Sequence, residues 1–354
     1  MSGLESKSGF ESIVGQQKPI RLLIAHLQNK TIPHALLFTG LEGIGKQATA
    51  TAFAMACNCQ YSGAEVFVQK AQTSPIAQDR RTSELSCGSC KSCRKIQSSN
   101  HPDIIYVKPS GLFIKIEQIR ELGHTLAMKP FEARLRVVIL SDAQNMTTAA
   151  GNALLKLLEE PPDRTILILL ARQRSELLPT IVSRCQHIRF NPISREALET
   201  MLIEEQGTTG DDAAIVAAIA NGSFSKALAM IDPKNQTNWI NRRNWLIQEV
   251  DALPSRPIGL VLAWAAKLSK NKELLFDSLE IIKTYLRDLV IYNYDPEKLI
   301  NKDMQNQVRK ASQKVAVSSL LTQINYIRSA QENIQGNANL RLTVEVLALR
   351  LAIP

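Results

Sequence analysis

Residues 35–39, Ala-Leu-Leu-Phe-Thr, run straight into Gly40-Leu41-Glu42-Gly43-Ile44-Gly45-Lys46-Gln47, and a run of helical character follows. An apolar strand, a glycine turn and a helix in that order predict a phosphate-binding loop at the end of a strand in a layered α/β domain. Gly40, Gly43 and Gly45 turn backbone N–H groups toward phosphates, and Lys46 supplies a point charge. The pattern normally ends in Ser or Thr, whose hydroxyl ligates Mg²⁺. Here Gln47 stands in that place. An amide is a longer and poorer ligand for a hard octahedral ion, so the eight residues that announce nucleotide binding also argue against hydrolysis.

Apolar runs at residues 35–39, 104–107, 137–140, 166–170 and 187–190 alternate with helical patterns at 19–29, 47–55, 116–128 and 150–158. The runs at 137 and 166 are apolar throughout, as in strands covered on both faces, and predict a mainly parallel sheet. After Asn191-Pro192 the strands stop. Three short helical segments span about 194–231, punctuated by Asn221-Gly222, and the rest is helical by pattern. Leu275, Leu279, Ile282, Leu286 and Leu289 form one apolar stripe, the mark of a packed helix face. The domain boundaries predicted are 1–192 for the α/β domain, 193–234 for a small helical segment and 235–354 for an all-α domain. Residues 69–86 are polar and read as a mobile insertion.

The chain of 354 residues is 45% hydrophobic and carries a formal charge of +9. That excess suits polyanionic partners or plain solubility, and no Lys/Arg run forms a basic tail. Lys115, Arg120, Arg134 and Arg136 fit a nucleic-acid face or a solvated one equally. No apolar run approaches the roughly 20 residues of a spanning helix, and the N-terminus lacks the pattern of a signal peptide. These features predict a soluble, cytoplasmic chain with no membrane partner.

Five of the six cysteines lie between residues 57 and 93. Cys87-Gly-Ser-Cys90-Lys-Ser-Cys93 is two overlapping C-x-x-C steps, a spacing that brings thiolates to one tetrahedral metal. Cys59 or Cys57, near the end of the helix after the glycine loop, supplies the fourth ligand. Structural zinc is the predicted occupant, with an iron–sulfur cluster as the other reading of the same ligands. Disulfides are disfavoured in an intracellular chain. Four thiolates close a zinc site, so its role is to fold a loop.

Several motifs together resemble the bacterial DNA polymerase III clamp-loader subunits of the AAA+ class, delta-prime type. Ile13-Val14-Gly15-Gln16 looks like the family's box before the glycine loop. Cys59, Cys87, Cys90 and Cys93 match its zinc module. Residues 152–162, Asn-Ala-Leu-Leu-Lys-Leu-Leu-Glu-Glu-Pro-Pro, are similar to a segment these subunits share, and Ser183-Arg184-Cys185 matches the signature of their trans-acting arginine. Over residues 10–230 the likeness is strong; beyond that it rests on helical pattern and a stretch at 337–340. The resemblance implies an AAA+ module with a helical lid at 193–234 and a helical collar at 235–354.

Where a working ATPase of this family has Asp-Glu at the end of its third strand, the chain has Ser141-Asp142, so the metal-binding carboxylate is a hydroxyl. The second-sensor arginine, expected three residues after Gly222, is Ser225, and the first-sensor position near Ala171-Arg172 is altered too. The resemblance therefore implies a subunit with weak or absent ATP or ADP binding, no competent Mg²⁺ site, and no turnover of its own. Cys185 reads as a small packed residue. Arg184 is implied to act on ATP held by a neighbouring subunit. Implied partners are ATPase motor subunits and delta, with the sliding clamp and primer-template DNA reached through the complex. The alternatives are an autonomous AAA+ ATPase acting on DNA and a zinc-stabilised nucleic-acid-binding adaptor.

Overall fold

In the computed structural model the described residues are 9–61, 85–336 and 338–353. Most of the predicted insertion at 69–86 and Asn337 of the 337–340 stretch lie outside them. The chain divides into two compact units, Met1–Ser194 and Arg195–Pro354.

In the first unit five strands form one parallel sheet: β1 (Ala35–Thr39), β2 (Ile104–Val107), β3 (Arg136–Leu140), β4 (Thr165–Ala171) and β5 (Gln186–Arg189), in the order β2-β3-β4-β1-β5. The register pairs Leu37 of β1 with Leu169 of β4 on one side and His187 of β5 on the other. Every residue of β1, β3 and β4 is buried. Because successive side chains alternate across a strand, the two faces serve two cores. Leu36, Phe38, Val137, Ile139, Ile166 and Ile168 pack with Leu23 of α1 (Gln17–Gln28), Phe53 of α2 (Lys46–Asn58) and Ile96 of α3 (Lys91–Gln97). Leu37, Val138, Leu140, Leu167 and Leu169 pack with Leu122 of α4 (Ile116–Ala127), Leu154 of α5 (Thr148–Glu159) and Ile181 of α6 (Pro179–Val182). Covering on both sides explains the apolar runs in the sequence.

Arg136, expected on a nucleic-acid face or a solvated one, is instead buried at the start of β3. Its Nε lies 3.7 Å from Asp103, and Nη1 donates to the carbonyls of Thr125 and Leu126 at 3.2 Å. Asp103 also accepts the backbone N–H groups of Phe131, Glu132 and Ala133, each at 2.8 Å. Burial raises the Asp103 pKa, but those three donors and the guanidinium outweigh it and hold the carboxyl below the usual range. Arg136 is thus a fastening of the 131–133 turn.

In the second unit, α7 (Arg195–Gln206), α8 (Gly210–Ala220) and α9 (Phe224–Ile231) precede α10 (Pro233–Ala252), α11 (Ile258–Leu268), α12 (Lys272–Tyr292), α13 (Gln305–Ser312), α14 (Val317–Gln335) and α15 (Leu340–Leu351). Asn221 and Gly222 both take positive φ and end α8, while Ser223 caps α9 by accepting from the Lys226 N–H. The stripe from Leu275 to Leu289 is buried within α12. Lys226 of α9 pairs with Asp277 of α12 at 2.7 Å, tying the short helices to the long ones. Among the described residues no helix is long and apolar enough to cross a membrane.

Candidate functional site

The glycine loop sits at the C-terminal edge of β1 and opens α2. Gly40, Gly43 and Gly45 have φ of +147°, +74° and +97°. A Cβ at Gly40 would stand 2.7 Å from the Phe190 carbonyl oxygen, so this position requires glycine twice over, for conformation and for space. Gly40 N–H donates to the carbonyl oxygens of Ala171 and Arg172, holding the loop against the end of β4. Gln16, buried before α1, donates from Nε2 to the carbonyls of Ile44 (3.0 Å) and Asn191 (2.7 Å). The box before the loop is thereby a brace joining the loop to the chain leaving β5.

Lys46 Nζ turns back on its own loop and donates to the carbonyl oxygens of Gly40 (2.5 Å) and Leu41 (2.6 Å). Burial lowers its pKa to about 8, against the opposing pull of Glu42 and Asp142. Gln47 is exposed on the first turn of α2. Ser141 follows β3 and is buried, and its hydroxyl has no hydrogen-bond partner among the described residues; the same holds for Gln144 Oε1. Asp142 takes φ of +52° and accepts from Gln144 Nε2 at 3.2 Å. The described loop has glycine turns and a lysine, with an amide at Gln47 in the place where the motif has a hydroxyl. Arg172 lies at the rim, 3.5 Å from Glu42.

The cysteine cluster forms at the other end of α2. Sulfurs of Cys59, Cys87, Cys90 and Cys93 all lie within 4.8 Å of one another. Cys59 is the first residue beyond α2, with extended φ and ψ of −63° and 132°, which swings its side chain away from the helix. Cys57, still inside α2, stands apart from the cluster; burial pushes its thiol up to about 12. Cys90 caps α3, its sulfur accepting from the Cys93 N–H, and Cys87 and Cys59 sulfurs each accept a backbone N–H as well. Burial raises the Cys87 pKa, but hydrogen bonds from Ser89, the Cys90 and Ser89 N–H groups and Cys59 bring it down to about 6. A tetrahedral cation with Zn–S bonds near 2.3 Å sets its thiolates roughly 3.8 Å apart. With no pair farther apart than 4.8 Å, the four sulfurs are close enough together to hold a metal ion.

Arg184 follows α6, and its side chain is 37% exposed. Its Nη2 lies 2.6 Å from Glu159 Oε1 at the last residue of α5, and Nη1 donates to the Thr180 carbonyl at 3.0 Å. Cys185 packs against the core, its thiol pushed up to about 12 by burial. Ser225 is exposed on α9. Nothing in the sequence pattern singled out Glu159 as a partner for Arg184; the two positions are joined only by the fold.

Residues 15–194 match the family described as "DNA polymerase III, delta subunit", and residues 237–352 match its C-terminal counterpart. The chain belongs to the DNA polymerase III delta-subunit family. Within this family it is similar to DNA polymerase III subunit delta' of Bacillus subtilis, 29% identical over 95% of this chain and 96% of that one. It is also similar to the tau subunit of the same organism, 25% identical over 97% of this chain but spanning only 61% of that relative's length. Among solved structures, a gamma-subunit-related protein of Thermotoga maritima aligns with 95% of this chain and 99% of its own, at 17% identity and a TM-score of 0.43. The fold of this family member, a parallel sheet covered by helices on both faces and followed by an all-helical unit, is as the sequence patterns predicted.

Proposed function

We propose that this chain is a non-hydrolysing, delta-prime-like subunit of a DNA polymerase III clamp loader. It assists ATP-driven loading of the sliding clamp onto primed DNA and presents Arg184 to ATP held by a neighbouring ATPase subunit. The observation that carries this reading is the contrast between two places in one unit. The chain's own cradle has Gln47 and Ser141 where metal ligands belong, while Arg184 stands at the surface just beyond the short helix α6. A planar, permanently charged guanidinium is suited to stabilising charge on a transferring γ-phosphate.

Further support comes from Lys46, which is engaged by the carbonyls of Gly40 and Leu41 and must leave them to meet a phosphate. The cysteine cluster is proposed to hold one structural zinc through Cys59, Cys87, Cys90 and Cys93. Residues 193–234 act as the lid and 235–354 as the collar. An exposed apolar stripe on α15 and just beyond it, Leu342, Val346, Leu349 and Ile353, favours a helix-packing role for the collar.

The decisive experiment is ATP turnover by the reconstituted loader. Arg184→Ala lowers turnover at the adjacent site by about 10³-fold, and the isolated chain shows no Mg²⁺-dependent hydrolysis. Unchanged turnover with Arg184→Ala, or hydrolysis by the lone chain that Lys46→Ala abolishes, overturns the reading. The latter result would favour an autonomous ATPase, for which the complete glycine loop is the supporting feature.

A further inference from the structure

The Arg184 guanidinium is held from two elements at once. Glu159 Oε1 at the end of α5 takes Nη2 at 2.6 Å, while the Thr180 carbonyl and Ser183 Oγ, in and just after α6, take Nη1 at 3.0 and 3.4 Å. We infer that Glu159 is a positioning residue for Arg184, fixing the orientation in which the guanidinium faces a neighbouring subunit. This inference rests on the trans-acting role proposed for Arg184.

Two features argue for positioning rather than stability. Both side chains are substantially exposed, 37% for Arg184 and 50% for Glu159, and exposed pairs contribute little to folding. Glu159 also sits at the C-terminal end of α5, where the helix dipole disfavours an anion. A carboxylate there is set against its own helix and compensated by the arginine it holds. An untethered arginine would have to be ordered during the reaction, whereas one already bonded on Nη1 and Nη2 presents its remaining N–H groups, which include Nε–H, without that cost. Guanidinium has five N–H donors, so engaging three acceptors leaves donors for a phosphate oxygen.

The test compares Glu159→Ala, Glu159→Gln and Arg184→Ala in the complete loader, with its own motor subunits, clamp and primed DNA. Glu159→Ala is expected to lower kcat about threefold to tenfold with KM for ATP unchanged. Glu159→Gln keeps an oxygen for Nη2 and returns kcat to within about twofold of wild type. The Glu159→Ala/Arg184→Ala double variant is no slower than Arg184→Ala alone. Thermal melts matching wild type show that neither glutamate variant has lost its fold. An unchanged or raised kcat in Glu159→Ala overturns the positioning role, as does a Gln variant as slow as the Ala variant, while Arg184→Ala remains slow. Wild-type turnover in Arg184→Ala removes the trans-acting arginine itself, and the positioning role with it.

Discussion

Gln16 and Asn191 are joined by two hydrogen bonds across 175 residues: Gln16 Nε2 donates to the Asn191 carbonyl at 2.7 Å, and Asn191 N–H donates to Gln16 Oε1 at 3.3 Å. The same amide also reaches Ile44 in the glycine loop. Three distant pieces of chain therefore depend on one buried side chain.

Gln16→Ala leaves three backbone groups short of a partner and is expected to cost about 2–3 kcal/mol. In a unit of this size that is a drop of roughly 5–10 °C in the thermal midpoint. Calorimetry on the whole chain would resolve it as a shift of the N-terminal transition, leaving the helical unit's transition in place.

Lys46 offers a pH-dependent readout of the cradle. Its amine ionises at about 8 instead of the ordinary 10.5, principally because burial disfavours the ammonium. The folded chain thus binds fewer protons here than the unfolded chain between those two values. This group's unfavourable contribution is complete below pH 8 and fades as pH rises through 10.5. Acylation of Lys46, followed by mass spectrometry across a pH series, should show a midpoint near 8. Adding inorganic triphosphate should move the midpoint upward if the cradle takes phosphate, since anions favour the ammonium. A midpoint above 10 in the free chain would contradict the buried placement of the amine.

Metal analysis of freshly purified protein should give about one zinc per chain, and Cys90→Ser should bring it close to zero. Cys57→Ser should leave the metal content intact, because that thiol lies outside the cluster. Equal losses from the two variants would reassign the ligand set.

Asp288 is fully buried in α12 and accepts from Ile300 N–H, Asn301 N–H and Asn301 Nδ2 at 2.7–3.1 Å, with Arg287 Nη1 at 3.0 Å. Asp288→Ala strands those donors and should destabilise the helical unit by about 3–5 kcal/mol. Urea unfolding followed by far-UV circular dichroism would check it; a loss under 1 kcal/mol would mean that the 300–301 turn finds other partners.

The sheet was legible because its inner strands are dry on both faces: the apolar runs at 35–39, 137–140 and 166–170 fall on β1, β3 and β4. The short helices α3 and α6 escaped notice, since seven and four residues are too few to show a period. Choosing between Cys57 and Cys59 by residue spacing needed the residue at which α2 stops, which propensity does not reveal to that accuracy. Arg136 misled for another reason. Its partner Asp103 lies in a different element, and an arginine's charge gives no sign of whether a buried carboxylate awaits it. Glu159 was hidden in the same way, visible as part of a shared segment but not as the residue that meets Arg184.

Lys46 and Cys59 stand at opposite ends of α2, a 13-residue rod about 20 Å long. Between those ends Ala50, Phe53, Ala54 and Met55 are buried in the core beneath the sheet, so one packed helix carries the phosphate loop at its first turn and the cysteine cluster just past its last.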